Sequence, residues 1–430
     1  MILKPKAMMN KWDKFPARKT RKFAVWVEVA FLIALLRLIQ YHVVEPVAAG
    51  EYYPDSSMYI DFDSSTILHG YTINARPPVY GMLLDFTEAV FGSYYLEATV
   101  AIQILCSALA VFVFTAIMGR LHIRGPWKQL VVLFFGASPA IAGWDHCILT
   151  ESLSLSLAVF FFYFILRYIQ ERELWAGITA VFLATVMSFL RPQFQIYLAL
   201  LAVFCVLKFW LPEKNERKKI LILVAFLLCA MGIILSYSAL IQKQYSVFSI
   251  SDALPRQNLK VCIDRGYLDL DDEEVAQFLQ EQLSDGADTW KLTDQAVERF
   301  GNRRIAKTTK NYFISNFTLY IRDTITVIRD TLKEQFYGYD IPIPELQGTL
   351  WGQLTRRIYS VFQPFTIGCV LLISFLEGIV MCVLWVRNKS VPWIHTALFS
   401  ISISTFFTPY FSTCAEYMRT MVSILHICIF

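Results

Sequence analysis

A stretch of carboxylates and tyrosines follows the first long apolar segment of the chain. In "EYYPDSSMYIDFD" the acids are Glu51, Asp55, Asp61 and Asp63, and the tyrosines are Tyr52, Tyr53 and Tyr59. Carboxylates at this density suit the oxygen coordination that hard divalent cations prefer, so a divalent-cation site is one interpretation. A solvated acidic loop without chemistry is the other. The choice depends on what surrounds this stretch at the membrane.

Further polar motifs stand where other apolar segments end or begin. They are "NARPPVYGMLLDF", "WDHCILTESLSLSLAVFF", "SFLRPQFQIYL" and "CAEYMRTMVSIL". Their candidate site residues are Arg76, Tyr80, Asp145, His146, Glu151, Arg191, Glu416 and Arg419. Charged groups at the ends of membrane spans mark sites, ion pairs or cavities. The alternative for each is a snorkelling charge or a structural pair.

Prolines set the local geometry of two of these motifs. Pro77 and Pro78 stop any preceding helix and can start a short one at the membrane surface, with Arg76 at its start. Pro192 ends one helix and opens the next, which places Arg191 in a tight turn.

The elements that position these motifs are membrane helices. Of the 430 residues 56% are hydrophobic and only 17% are charged, and the mean hydropathy is +0.47. A spanning helix needs roughly 20 apolar residues, and this criterion predicts an all-α polytopic membrane protein with about ten spans. The predicted spans are 23–42, 94–118, 128–143, 151–168, 174–190, 193–211, 219–241, 358–385, 391–411 and 414–430.

Basic loops orient the predicted spans. Residues 1–22 carry eight Lys or Arg against one acid, which predicts a cytoplasmic tail before an uncleaved first span in the plasma (inner) membrane. Alternate counting then places the basic loops "GRLHIRGPWK", "RYIQERE", "KFWLPEKNERKK" and "VRNKS" inside, as the positive-inside rule requires. The same count places all the polar motifs described above on the outer face.

Four regions follow from this topology. They are the tail 1–22, a membrane region 23–241 that includes the first outer loop 43–93, an extracytoplasmic segment 242–357, and a C-terminal membrane region 358–430. In the extracytoplasmic segment "LDDEEVAQFLQEQL" predicts a helix capped by Asp271 or Asp272. A long helical pattern runs from Thr293 to Phe336 and is broken near Gly301. Within it "YFISNFTLYIRDTITVIRDTL" is apolar but carries the four charges Arg322, Asp323, Arg329 and Asp330, so we expect this stretch on the membrane surface.

Composition also argues against several classes of site. The nine cysteines show no CxxC spacing, so neither a disulfide framework nor a zinc site is indicated. The net charge of +4 comes mainly from the inner loops, and no nucleic-acid motif accompanies it.

The order of the outer motifs resembles the C-type (GT-C) glycosyltransferases, specifically the bacterial relatives of dolichyl-phosphate-mannose protein mannosyltransferases and of lipid A aminoarabinose transferase. "YYPDSSMYI" is similar to their acidic motif, and Pro77, Pro78 and Tyr80 match their Pro-Pro-x-Tyr motif. "TESLSLSL" resembles their acid-led span, Arg191 and Pro192 their basic-residue-proline turn, and "EYMRT" their Arg-Tyr motif. The family's Asp-Glu pair is here Asp55-Ser56, and Arg76 stands where the family has a histidine.

The resemblance implies transfer of a sugar from a polyprenyl-phosphate donor to an acceptor hydroxyl at the outer face, with inversion. Asp55 is then the expected general base, and Arg191, Arg419 and Arg76 the expected ligands of the donor phosphate. The expected acceptor- and sugar-binding residues are Tyr53, Tyr59, Tyr80, Asp145, His146, Glu151 and Glu416. No cofactor is identified, although a divalent cation would fit the acidic stretch.

Two other functions remain open at this point. A flippase or transporter of lipid-linked sugars would carry polar residues at mid-membrane and interrupted helices. A polymerase or ligase of surface polysaccharide shares the many spans, the large outer segment and the outer arginines. The expected partners are a polyprenyl-phosphate sugar, an acceptor that is a lipid, glycan or protein, and membrane lipids, with no nucleic acid.

Overall fold

The protein is helical. Its structure, a computed structural model, describes residues 54–72, 76–121, 143–210, 216–334, 366–388 and 391–412, with isolated positions between 31 and 136. These ranges contain fifteen α-helices and no strand. The first eight are α1 Pro54–Ile60, α2 Ser65–Leu68, α3 Pro78–Phe91, α4 Tyr95–Arg120, α5 Glu151–Glu171, α6 Leu174–Leu190, α7 Gln195–Trp210 and α8 Arg217–Tyr245. The others are α9 Ala253–Asp264, α10 Glu273–Ser284, α11 Thr289–Phe300, α12 Asn302–Ser315, α13 Phe317–Thr331, α14 Ile367–Asn388 and α15 Trp393–Ser412.

Long apolar helices dominate the described part of the chain. Five stretches are long and apolar enough to cross a membrane, namely Pro78–Arg120, Glu151–Glu171, Pro192–Trp210, Arg217–Tyr245 and Ile367–Asn388. Seven of the predicted spans overlap α4 to α8, α14 and α15. The predicted total of about ten stays a prediction, because 23–42, 414–430 and most of 128–143 lie outside the described residues.

The spans pack as a bundle of sequential neighbours. Helix α4 packs on α3 and α5, α6 packs on α5, α7 and α8, and α14 packs on α15. One continuous apolar core runs through these helices, with Phe114, Phe162, Ala184 and Leu227 among its buried members. Burial of such side chains is worth roughly 1.5–3 kcal/mol each in water, and in a membrane tight packing takes over that role.

The ends of the spans sort onto two sides of the bundle. On one side the ion pairs Arg120–Glu171, Arg167–Glu173 and Arg172–Glu216 join consecutive helix ends at 2.7, 2.8 and 3.1 Å. All of these residues belong to or adjoin the loops that the sequence predicts inside. Among the candidate site residues, Glu151 begins α5 and Arg191 directly follows α6, so these two lie at the opposite ends of helices that the ion pairs join.

The described part of the predicted extracytoplasmic segment, up to residue 334, forms a small helical unit with its own core, called the extracytoplasmic unit below. Leu259, Val275, Leu292 and Ile305 are buried together between α9, α10, α11 and α12. Its helices α9 and α13 also contact α15, where the hydroxyls of Thr331 and Tyr410 are 2.7 Å apart. The segment is therefore seated on the end of a bundle helix.

Two local predictions in this segment are confirmed and one is incomplete. Asp272 caps α10 by accepting a hydrogen bond from the Val275 amide, and Gly301 separates α11 from α12 with a φ of 78°. The pattern from 293 to 336 is predicted to break near Gly301, and its described part has a second break at Asn316, so it forms the three helices α11, α12 and α13. A periodic apolar pattern can continue through such a break, because it indicates which residues face the core and does not indicate whether the helix is continuous.

The acidic stretch is partly helical, whereas the sequence suggests a loop. Helix α1 begins at Pro54, whose fixed φ suits the first helical position, and ends at Ile60. It packs on α3, which starts at Pro78 as predicted and runs for 14 residues, longer than the expected short surface helix.

Candidate active site

Asp55 and Arg76 form an ion pair between α1 and the chain just before α3. Arg76 Nη2 lies 2.8 Å from Asp55 Oδ1, and Arg76 Nε lies 3.2 Å from the sulfur of Met58. Both charged side chains keep partial access to solvent, 22% for Arg76 and 33% for Asp55. A charged pair at the edge of the bundle is thus reachable by a ligand that arrives from outside.

Tyr59 lies between this ion pair and the bundle core. Its ring is buried, 5.6 Å from the guanidinium carbon of Arg76 and 5.1 Å from the ring of Tyr80. Burial raises the pKa of the Tyr59 phenol, while Arg76 and Arg191 lower it and Asp55 and Glu151 raise it. The charges of four separate motifs therefore act on one buried tyrosine.

Glu151 and Arg191 form the second ion pair of the site. Arg191 Nη1 lies 3.2 Å from Glu151 Oε1, and the Glu151 side chain has no solvent exposure. Arg191 stands in extended conformation between α6 and the short 3₁₀ turn Pro192–Phe194, as its proline neighbour predicts. Its side chain keeps 15% exposure, and a guanidinium carries five N–H donors, so one carboxylate oxygen leaves it capacity for another anion.

A buried hydrogen-bond network supports the site from below. Tyr80 Oη donates to Gln103 Oε1 at 2.7 Å, and Gln103 Nε2 donates to the carbonyls of Asp145 and Cys147 at 3.0 and 2.8 Å. Ser152 Oγ donates to Asp145 Oδ1 at 2.6 Å. The network ties the start of α3 through α4 to the turn that leads into α5.

The predicted site residues fall into three groups by position. Asp55, Arg76 and Arg191 have partial access to solvent, whereas Tyr59, Tyr80, Asp145, His146 and Glu151 are buried at 5% exposure or less. Tyr53, Glu416 and Arg419 lie outside the described residues. The structure thus brings motifs from four parts of the sequence together. Their charged groups Asp55, Arg76 and Arg191 are partly exposed, and the other described residues support them from the buried side.

Two residues near the site are not among the candidate site residues that the sequence predicts. Gln103 is an uncharged residue in the 26-residue helix α4. Its presence in an apolar span was a sequence signal, because burying an amide costs free energy unless the amide is hydrogen-bonded. Asp252, at the start of the extracytoplasmic unit, is buried and pairs with Arg256 at 2.8 Å. Burial raises the pKa of Asp252, while Arg256 and Arg76 lower it, so Asp252 is a second acid that interacts electrostatically with Arg76.

The described residues offer no preformed metal site. No group of three or more His, Cys, Asp and Glu side chains among them is arranged to hold a metal ion. Glu51 of the acidic stretch lies outside the described ranges, and the divalent-cation interpretation stays a prediction.

The comparisons with known proteins give a weak structural likeness. No protein-family model and no curated protein matches the sequence. The Archaeoglobus fulgidus oligosaccharyltransferase in its apo form is similar over 95% of this chain at 12% identity and a TM-score of 0.49. The archaeal oligosaccharyltransferase AglB of the same organism, in complex with an inhibitory peptide and a dolichol-phosphate, is similar over 95% at 10% identity and a TM-score of 0.46.

The chain spans 50% of the length of each of these two solved structures. TM-scores below 0.5 at this identity do not establish a common fold, so the function of this chain has to be argued from its own residues.

Proposed function

We propose that the protein is a membrane glycosyltransferase that moves a sugar from a polyprenyl-phosphate donor to an acceptor hydroxyl at the extracytoplasmic face. The observation that supports this best is the Asp55–Arg76 pair, a carboxylate and a guanidinium in contact at the accessible edge of an apolar bundle. Transfer from a lipid phosphate needs one group that takes a proton and another that binds a phosphate, both close to a membrane. This pair supplies one of each.

Asp55 is the proposed general base. The acceptor oxygen attacks the anomeric carbon as Asp55 takes its proton, and the bond from that carbon to the phosphate oxygen breaks on the opposite face. Attack opposite the leaving group inverts the anomeric centre. An acceptor hydroxyl is a poor nucleophile until its proton is removed, and general-base catalysis supplies about 10²–10⁴ in rate.

Arg76 is the proposed first ligand of the donor phosphate, with Arg191 and Arg419 as further candidates. The leaving polyprenyl phosphate is a stable anion, so it needs positive charge and no strong acid. The planar fork of arginine matches phosphate oxygens. Arg76 pairs with Asp55 in the structure, and phosphate binding would turn the guanidinium toward the donor and leave the carboxylate to the acceptor.

The buried residues have a supporting role in this proposal. Glu151 has no solvent exposure and holds Arg191, while Tyr80 and Asp145 are engaged with Gln103 and Ser152. Tyr59 presents its ring beneath Arg76. Direct contact of these side chains with an acceptor would need the site to open, so they fix the positions of the groups that react.

Purified protein in nanodiscs tests the proposal against its rivals. It is incubated with polyprenyl-phosphate sugars and a panel of lipid, glycan and peptide acceptors, and products are identified by mass spectrometry. Transfer with release of polyprenyl phosphate supports a transferase. Movement of the labelled donor between leaflets of a proteoliposome without transfer indicates a flippase. Extension of a lipid-linked glycan by repeating units indicates a polymerase.

A further inference from the structure

The end of helix α8 holds the backbone of the segment that leads to Arg76. Gln244 Oε1 accepts a hydrogen bond from the Thr72 amide at 2.8 Å, and Gln244 Nε2 donates to the Thr72 carbonyl. Tyr245 Oη donates to the same carbonyl at 3.0 Å. Two turns earlier on α8, Tyr237 Oη donates to the carbonyl of Arg76 at 3.3 Å.

These contacts fix the segment at two points. A side-chain amide that pairs with both the N–H and the C=O of one residue sets that residue's position and orientation together, as a ladder of a sheet does. Thr72 is fully buried at this contact. Four residues later the Arg76 carbonyl is held by the same helix, so the backbone position from which the Arg76 side chain extends is fixed relative to α8.

We propose that Gln244 is a positioning residue for Arg76, which it serves together with Tyr237 and Tyr245. This inference rests on the proposed function of Arg76 as a phosphate ligand. The guanidinium itself is oriented by Asp55 on one side, and Asp252, beyond the end of α8, acts on it electrostatically. Helix α8 thus holds the backbone at Arg76, and Asp252 at the start of the extracytoplasmic unit acts on its charge. Both add to the contacts that Arg76 makes with α1.

The contacts of Gln244 with Thr72 are long-range, so they do more than stabilise the end of α8 itself. Gln244 and Thr72 are 172 residues apart, and the hydrogen bonds that Gln244 makes across this distance all go to Thr72. Gln242, on the same last turn of α8, is exposed and offers a matched control.

Farnesyl phosphate serves as the probe, because it combines a short isoprenoid with the phosphate of the donor. Gln244→Ala is expected to weaken its binding to the nanodisc-embedded protein by about tenfold, the effect of losing one or two neutral hydrogen bonds. Gln242→Ala is expected to leave the affinity unchanged. In an Arg76→Ala background Gln244→Ala is expected to add nothing, because its effect passes through Arg76.

The outcomes separate the two levels of the proposal. Unchanged affinity in Arg76→Ala overturns the phosphate role of Arg76, and the inference with it. Weakened binding in Arg76→Ala together with an additive or absent effect of Gln244→Ala overturns the inference alone. Hydrogen–deuterium exchange at the Thr72 amide must also be faster in Gln244→Ala than in Gln242→Ala, and equal exchange rates would show that Gln244 does not hold this segment.

Discussion

The carboxylate of Glu151 is completely buried and lies 3.2 Å from Arg191, which comes 40 residues later, between α6 and the 3₁₀ turn Pro192–Phe194. Thr150 Oγ1 also donates to Glu151 Oε2, at 3.4 Å. A charge in this position is tolerated only because it is paired, and the start of α5 is thereby joined to the end of α6. The pair is therefore both a structural tie and a constraint on any role of Arg191 in binding.

Glu151→Gln is expected to destabilise the protein strongly. Removing one partner of a buried ion pair typically costs about 3–5 kcal/mol, and the 15% exposure of Arg191 places the expected loss toward the lower end of this range. Thermal unfolding of the purified protein in detergent measures the loss. The double variant Glu151→Gln with Arg191→Met should lose less than the sum of the single variants, and strictly additive losses would mean that the two side chains do not interact.

Asp55→Asn is expected to abolish most of the transfer activity while it leaves donor binding largely intact. Asparagine keeps an oxygen that can accept a hydrogen bond from Arg76 but is not a base. Turnover should therefore fall by about 10²–10⁴, or about 3–5 kcal/mol of barrier. Single-turnover transfer and farnesyl phosphate binding are measured together.

The controls for this variant are Asp61→Asn and Asp63→Asn in the same stretch. Asp63 is engaged locally with Ser65, and we expect smaller effects from both changes. If Asp55→Asn transfers at a normal rate and Asp61→Asn or Asp63→Asn is inactive, the base has been assigned to the wrong residue.

Gln103→Leu is expected to loosen the support beneath the site. The change removes three hydrogen bonds to buried groups, and each is worth about 0.5–1.5 kcal/mol. Activity should fall along with thermal stability, because the turn that carries Asp145 loses its link to α4. Leu105→Ala, at a 59% exposed position of the same helix, serves as the control and should change neither property strongly.

Asp272 provides a pH-dependent contribution to the stability of the extracytoplasmic unit. The hydrogen-bonded Arg304 guanidinium lowers the pKa of Asp272, and this effect outweighs burial, which raises the pKa. A carboxylate whose pKa is lowered by folding stabilises the protein above its unfolded pKa of about 3.9, and this contribution is lost as the pH falls through the folded value.

Asp272→Asn isolates this charge effect, because asparagine caps a helix as well as aspartate does. At neutral pH we expect a loss of about 0–1 kcal/mol, since Arg304 is 41% exposed, and this difference from wild type should disappear in acid. Asp272→Ala also loses the cap and should cost about 0.5–2 kcal/mol more. Thermal unfolding between pH 7 and pH 3 checks both, and a constant difference across this range would exclude the ion-pair contribution.

The helices could be predicted from the sequence because each is a local pattern. Runs of about 20 apolar residues, Pro78 and Pro192 at helix starts and Asp272 at a cap all act within a turn or two of the chain. The contacts of the site are different in kind. Asp55 meets Arg76 across 21 residues and Gln244 meets Thr72 across 172, and these pairings depend on which helices become neighbours. A common outer position could be predicted, but the partner of each charge could not.

Helix α8 tests the topology on which the site assignment rests. Its 29 residues reach ~43 Å at 1.5 Å per residue, enough to cross a hydrocarbon core of about 30 Å. The exposed residues Lys218 and Lys243 stand near its two ends, and Ser284 is exposed on the extracytoplasmic unit. Cysteine at position 243 or 284 is expected to react with a membrane-impermeant maleimide on intact cells, and cysteine at 218 only after permeabilisation. Labelling of 218 from outside, with 243 and 284 protected, would invert the topology and place Asp55 and Arg76 on the cytoplasmic side, away from an extracytoplasmic donor.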